Sequence, residues 1–373
     1  MSRSMWTRRA RAGLAPPSGS GEGLMVAVGH DLDTLVPEWD ELTERCDASL
    51  FMCSAWMRSW WGAFGAGELN VLTTRRDGRL TGLFPMMRVG HVLRSTTNGH
   101  TPEFDPLADD GESLAALADA SFDDPARHVR VSFLQRGVAD LLRSAARAGG
   151  RHVTIDTIEE SPYLPIEGDW HSYEQRVDGK ILRDLRRRRR KLEEEGALTL
   201  EIADGRTRLD DLLAEGFRLE ASGWKGEAGT AIESDPATRR FYADVAGWAA
   251  PRGSLRLAFL RLDGKPLAFQ YGLVDRSAYY FLKGGYDTDY RRFAPGRLLV
   301  QDMLRYAFDV GLSRFEFLGT AESWKLEWTD ERHDRRRIDA FARSLVGMAA
   351  WAADAYGRPF ARRMRPLVAA LRR

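Results

Sequence analysis

The sequence predicts a mixed α/β (α+β) protein with two similar domains in tandem, each around a mixed central sheet. Three observations carry this. The chain has 373 residues, enough for two hydrophobic cores. Helical and strand periodicities alternate along it. And one pattern occurs twice: apolar runs at 71–74 and 80–87 flank Asp77-Gly78, and runs at 257–260 and 267–274 flank Asp263-Gly264. Asp-Gly between such runs signals a two-residue hairpin. The match continues past the turn, aligning Arg75 with Arg261, Arg79 with Lys265 and Gly82 with Ala268. A single such hairpin is common; two at matching places in halves of similar size point to a duplicated fold. The expected boundaries are a flexible lead-in at 1–23, domains at 24–165 and 166–341, and a helical tail at 342–373.

Taken in order, a strand at 24–28 precedes a helix within 30–48, where Leu32, Leu35, Trp39 and Leu42 recur at helical spacing and Asp31 or Asp33 can cap. Trp56, Trp60 and Phe64 make one helix face, more often core than ligand platform. After the first hairpin, helices at 113–120 and 137–148 enclose a strand at 128–134, and another strand covers 152–158. Ser161-Pro162-Tyr163-Leu164-Pro165 reads as the interdomain linker, because prolines continue neither helix nor central strand.

The second half opens with a helix at 180–196 that holds Arg183 and the run Arg186 to Lys191. Arg189–Glu193, Arg190–Glu194 and Lys191–Glu195 are spaced for i,i+4 pairs, in the less favourable order with the acid C-terminal. A solvated face is the default reading, and a phosphate-contacting face the sharper one. Helices follow at 208–222 and 237–249, then the second hairpin. An aromatic strand at 278–282 leads into Gly284-Gly285 and a polar, tyrosine-rich loop. Pro295-Gly296 opens a helix whose apolar face is Leu299, Met303, Tyr306, Ala307 and Val310, with Gly311 as its stop. A strand at 314–318 comes next, and the chain ends in helices at 338–356 and 360–373. The last of these mixes five arginines with Leu367, Val368 and Leu371, suited to docking on the body or touching an acidic surface.

Hydrophobic residues make up 43% and charged residues 29% of the chain, the balance of a globular protein, and the net charge of +1 gives no global field for nucleic acid. No apolar window is long enough to span a membrane, and the basic start lacks the apolar core of a secretory signal. Cys46 and Cys53 carry no metal-ligand spacing and no disulfide framework. They fit buried thiols in a reducing cytoplasm. The seven histidines are scattered, so no metal is expected, and neither a Gly-x-Ser-x-Gly elbow nor a Walker loop occurs.

The stretch 278–328 concentrates the functional signal. The first turn of the Pro295 helix offers unpaired backbone N–H groups and the positive end of a dipole, which attract anions. Gly296 lets a ligand approach the backbone. Equally, Pro-Gly is an ordinary way to begin a buried helix.

Gly285-Tyr286-Asp287, Ala294-Pro295-Gly296, Leu298-Leu299, Phe315-Glu316-Phe317, Gly319 and Trp324-Lys325 with Trp328 resemble the signature of the cellulose-biosynthesis or BioF2-like acetyltransferases, relatives of the GCN5-type (GNAT) N-acetyltransferases. The resemblance reaches back to about Phe51 and Trp56. It departs at Ala294, Glu316 and Trp324, where the family more often has Ser, Asp and Tyr, and the usual Gln/Arg-x-x-Gly-x-Gly/Ala loop is absent. It implies two tandem GNAT domains. The second would bind acetyl-CoA or another acyl-CoA at Ala294, Pro295, Gly296, Arg297 and Leu298, and the acceptor would lie between the domains.

The implied reaction is acyl transfer from a thioester to an amine of a small molecule or cell-envelope precursor. Such a step needs a base, donors facing the carbonyl oxygen, and a site that holds both reactants. Glu316 is the first candidate base and Asp287 the second. Tyr286 and Tyr290 are candidates to protonate the leaving thiolate, Tyr290 and Trp324 to bind substrate. Each of these also has an ordinary structural reading. Lys325 lies between Trp324 and Trp328, and strand alternation would place it on the face opposite the tryptophans. In the related Fem-type peptidyl transferases a lysine in such a segment assists acyl transfer. Asp105, in Phe-Asp-Pro, resembles an acidic substrate-binding position of those proteins, though it is equally a turn residue before proline. The alternatives are a Fem-like transferase that uses aminoacyl-tRNA, and a catalytically degenerate scaffold subunit.

Overall fold

The computed structural model describes residues 23–222 and 231–357. They fall into two compact units. Unit 1 takes the described residues up to Trp61, then Gly65–Glu159 and those from Asp334 onward; unit 2 takes Gly62–Phe64 and Glu160–His333.

Unit 1 begins with β1 (Met25–Gly29), α1 (Val36–Arg45) and α2 (Ser54–Phe64), followed by the hairpin β2 (Glu68–Arg76) and β3 (Arg79–Val89). β4 (Val92–Ser95), β5 (Leu107–Ala108), α3 (Gly111–Phe122), β6 (His128–Leu134) and α4 (Arg136–Ala148) complete its first pass. β7 (His152–Pro165) then carries the chain into unit 2. That unit holds α5 (Trp170–Glu174), α6 (Gly179–Glu193), β8 (Leu198–Ala203), α7 (Leu209–Ala221) and α8 (Pro236–Ala249). The second hairpin, β9 (Leu255–Leu262) and β10 (Lys265–Asp275), precedes β11 (Ala278–Tyr286), α9 (Pro295–Asp309), β12 (Arg314–Glu316) and α10 (Ser323–Leu326). β13 (Arg332–Phe341) returns the chain to unit 1, where α11 (Leu345–Ala352) follows.

The two units share one topology. Unit 1 orders its strands β1-β2-β3-β4-β6-β13, and unit 2 orders its own β8-β9-β10-β11-β12-β7. In each, the first three pairings are antiparallel, the fourth (β4 with β6, β11 with β12) is parallel, and the fifth is antiparallel. The last strand of each is exchanged. The end of β7 pairs with β12, while β13 pairs with β6. Duplication extends to side chains at the hairpins. Arg75 Nη1 donates to Gly78 O (2.8 Å) and Arg261 Nη1 to Gly264 O (3.3 Å). Each arginine also forks onto a glutamate of the equivalent helix, Glu38 of α1 and Glu215 of α7. The fork closes the turn and docks the helix with one planar group.

Both cores form on the faces that the apolar patterns foretell. Trp39, Trp56 and Trp60 are buried in unit 1. In unit 2, α6 contributes Leu182, Leu185 and Leu192, and α9 contributes Leu298, Leu299, Met303 and Ala307, against Tyr279 and Phe315 of the sheet. Val310 lies one residue past α9 and is exposed, so it leaves the expected apolar face.

Three stretches differ from expectation. Residues 161–165 form the end of β7 rather than a linker. The ladder uses the prolines' carbonyls there (Phe317 N–H donates to Pro162 O), so their missing N–H groups cost nothing. Residues 338–341 belong to β13, not to a helix. Its Arg335 and Asp339 are buried inside ion pairs, which made a strand interior look like a solvated charge run. β11 runs past 282 to Tyr286, through both glycines. A β-carbon at Gly285 would lie 2.4 Å from Glu220 Cα, so the glycine lets α7 cross directly on the strand. The helix expected at 360–373 lies outside the described residues.

Candidate active site

In unit 2, β12 meets β11 over only three positions, Ala278–Tyr280 against Arg314–Glu316. β11 then continues from Phe281 to Tyr286 with its other edge on β10, and Leu282 is skipped in that ladder as a bulge. Bulges re-aim side chains and gather beside active sites. The chain next turns through a short 3-10 segment, Thr288–Phe293, and enters α9.

The start of α9 has no side-chain cap. Ala294 occupies the N-cap position in the left-handed region (φ 51°), and its carbonyl accepts from Arg297 N–H and Leu298 N–H. Pro295 has no N–H, and Gly296 N–H points out of the first turn, where no preceding helical carbonyl can reach it. A β-carbon added at Gly296 would lie 3.2 Å from Tyr286 Cδ1, so the Tyr286 ring stands beside the helix start. The equivalent helix of unit 1 is closed. α3 begins at Asp110, whose carboxylate accepts from Ser113 N–H at 2.7 Å. That bond, first among the causes, holds the Asp110 carboxyl below its ordinary range. A fixed anion therefore occupies the place that is open in unit 2.

The structure gathers Tyr286, Asp287, Tyr290 and 294–298 around this helix start. Asp287 Oδ1 accepts from Asp289 N–H (3.0 Å), and Asp287 Oδ2 pairs with Lys265 Nζ (2.8 Å). Lys265 also sits 4.7 Å from the centre of the Tyr290 ring. Arg297 pairs with Glu327, and the Leu298 side chain is core. Of the five residues proposed to hold an acyl donor, Gly296 alone offers an N–H with no helical acceptor.

Glu316 and Lys325 flank the end of β12. Lys325 is not on a strand. Residues 323–326 form the short α10, and Lys325 is 7% exposed, its ammonium donating to Leu318 O (2.7 Å) and Thr320 O (3.0 Å) with Glu322 at 3.4 Å. It clamps the turn in which Leu318 (φ 55°) and Gly319 (φ 65°) are both left-handed. Trp324 donates from Nε1 to Glu322 (2.8 Å) and meets Phe281 and Phe317 edge-on, giving the end of β11 an aromatic wall.

Glu316 is 2% exposed. Its Oε1 is ion-paired with Arg314 Nε (2.6 Å) and hydrogen-bonded with His333 Nε2 (3.1 Å). Its Oε2 is buried without a hydrogen-bond partner among the described residues. His333 stacks on Tyr163 with ring centres 3.9 Å apart. Sequence reasoning missed this histidine, since its partners are 17 and 170 positions away.

Residues 179–326 match the family model described as an acetyltransferase (GNAT) domain. Unit 2 thus carries a GNAT-like acetyltransferase domain, and the helix start just described lies within the matched residues. Among solved structures, FemX aligns with TM-score 0.55 and 13% identity, covering 82% of this chain and 96% of that one. The C-terminal domain of a putative lysylphosphatidylglycerol synthetase from Agrobacterium fabrum aligns with TM-score 0.51 and 16% identity, covering 84% and 95%. At such identities these likenesses establish the fold alone. No curated protein matches the chain. No described helix is long and apolar enough to cross a membrane.

Asp105 belongs to unit 1, apart from the GNAT domain. Its Oδ1 accepts from Gln135 N–H (3.1 Å), and the neighbouring Glu103 pairs with buried Arg335 (2.9 Å). Burial first, and then the charge of Glu103, push the Asp105 carboxyl up to about 7.

Proposed function

We propose that the protein is a cytoplasmic N-acyltransferase of the BioF2-like or cellulose-biosynthesis type, moving an acyl group, acetyl in the simplest case, from acyl-CoA to an amine of a small molecule or cell-envelope precursor. The observation that carries this reading is the uncapped start of α9, set against the Asp110-capped start of α3. An open helix start suits a pyrophosphate, and Gly296 admits it to the backbone. Phe281, Phe317 and Trp324 supply an apolar wall for the donor's arm. Glu316 is the base. The open acceptor of a carboxylate buried beside a cation suits an incoming ammonium. Lys325 acts by holding the turn after β12, Tyr286 stands beside the leaving group, and Tyr290 and Asp287 hold the loop before α9. Asp105 serves as an acceptor-binding carboxyl in unit 1.

The second reading replaces acyl-CoA with aminoacyl-tRNA, which would use the arginines of α6 as a phosphate track. Those arginines are largely engaged: Arg186 with Glu174, Arg187 and Arg188 with Asp184, and Arg189 with Asp302. A paired titration with acetyl-CoA and bulk tRNA at low and physiological salt separates the two. Saturable acetyl-CoA binding with modest salt dependence is expected, along with weak tRNA binding that salt abolishes. Tight tRNA binding at physiological salt with no response to acetyl-CoA reverses the assignment. Thiol release from acetyl-CoA with an amine panel excludes the scaffold reading.

A further inference from the structure

Glu316 is the base in the reading above, and the following rests on that reading. A buried base that keeps each proton it takes works only once, so it needs a route to water. We propose that His333 is that route, a relay residue through which Glu316 discharges its proton to solvent.

The two carboxylate oxygens of Glu316 have different surroundings. Oε1 carries Arg314 and His333, while Oε2 has no partner among the described residues. A buried acceptor left open this way is unfavourable unless a ligand fills it. The chemistry that fills it is an N–H donor, and an ammonium substrate brings one. His333 reaches the surface, with 30% of its side chain exposed against 3% for Glu316. Its ring is held flat on Tyr163, so Nε2 stays directed at the carboxylate. Imidazole is the side chain that gains and loses a proton near neutral pH. The titratable and charged neighbours are Arg314 from β12, Tyr163 (neutral) from β7, and Glu331 and Arg332 from its own segment.

A buried carboxylate of unit 1, on the strand that pairs with β6, makes a contrast. There Asp339 of β13 meets His128 Nε2 (2.7 Å) and Arg130 Nε (2.6 Å) through Oδ1, and Arg337 Nε (2.9 Å) through Oδ2. Burial works against its ionisation, yet those bonds hold its carboxyl well below the ordinary range. Both its oxygens face arginines, so it is a structural anion. Glu316 has kept one oxygen open and one histidine at the surface.

In the step, R–NH3+ gives one proton to Oε2; rotation of the carboxyl about Cγ–Cδ presents that proton to His333 Nε2, unprotonated in the receiving tautomer, while the Nδ1 proton leaves to water. The amine nitrogen bonds to the acyl carbon, the C–S bond breaks, and the thiolate takes the second nitrogen proton. Amide, thiol and one released proton account for every atom.

The test uses the full-length protein, acetyl-CoA and a panel of primary amines, with thiol release followed from pH 6 to 9. His333→Phe keeps the stack on Tyr163 but cannot carry a proton. His333→Asn keeps a hydrogen bond to Glu316 but cannot titrate. Both should bind acetyl-CoA as the wild type does, lose at least tenfold in kcat, and lose the neutral limb of the pH–rate profile. Added imidazole should restore much of the His333→Phe rate. Wild-type rates in either variant, or a defect in His333→Phe that His333→Asn repairs without imidazole, overturns the relay. Full activity in Glu316→Gln removes the base itself, a failure of the earlier reading. As a readout that needs no donor, the nitrogen NMR spectrum of His333 should show an Nε2 shift characteristic of a hydrogen bond that Glu316→Ala abolishes. A ring spectrum unchanged by Glu316→Ala overturns the pairing on which the relay depends.

Discussion

Burial beside a second acid sets the behaviour of Asp105. Its carboxyl is raised to about 7, with Glu103 adjacent. A raised acid favours the folded state while it is protonated, below the unfolded value of about 4, and that contribution is lost as pH rises through about 7. Asp105→Asn should therefore stabilise the protein at pH 8 by about 1–3 kcal/mol relative to wild type and change little at pH 4. Denaturant unfolding at the two pH values checks this. Lys325 gives a second residue-scale expectation. Replacing it with Met strands the carbonyls of Leu318 and Thr320 and should cost about 1–3 kcal/mol in unfolding free energy. A surface lysine would cost nothing measurable. The sequence indicated that Lys325 mattered, through its Trp-Lys context, but not how. Its burial depends on two left-handed residues, Leu318 and Gly319, and no local pattern announces the first of them. His333 was unreadable for a related reason. A stack on Tyr163 and a bond to Glu316 exist only after β7, β12 and the start of β13 come together.

The hairpins and the matching arginines beside them were readable because they are local, whereas the glutamates those arginines fork onto, 37 and 46 positions away, were not. Asp-Gly fixes the turn, and Arg75 and Arg261 stand at one offset from it. Arg261 bridges Glu201 of β8 and Glu215 of α7 from a side chain only 14% exposed. Arg261→Met would leave two carboxylates facing each other and should cost about 1–3 kcal/mol, read as a fall in Tm. The helix α6 was readable as an element but not in its pairings. Arg187 and Arg188 take Asp184, one turn toward the N-terminus, and Arg189 takes Asp302 where Glu193 was expected. Acid before base is the better helical order, and Asp302 and Glu174 come from other elements. Exchanged strands were the least readable. β7 carries prolines and β13 carries a run of charges, and each reads as a loop or solvated segment until its partner is known.

At the scale of the whole molecule, one fold occurs twice and its copies differ at one equivalent helix start and in their buried carboxylates. The helix after the fourth sheet strand is capped by Asp110 in unit 1 and open at Ala294 in unit 2. Asp339 on β13 faces cations with both carboxylate oxygens, whereas Glu316 on β12 has one oxygen without a hydrogen-bond partner among the described residues. On the proposed reading, both differences favour anion binding and proton transfer in unit 2, the part that carries the GNAT-like domain. The most direct test transfers the cap. Ala294→Asp puts an anion at the start of α9, in a left-handed conformation that Asp tolerates better than Ala. Calorimetric titration of the full-length protein with acetyl-CoA should show one site per chain in the wild type. In Ala294→Asp the protein should stay folded with affinity at least tenfold weaker, about 1.4 kcal/mol. Unchanged acetyl-CoA affinity in the folded variant would contradict the account.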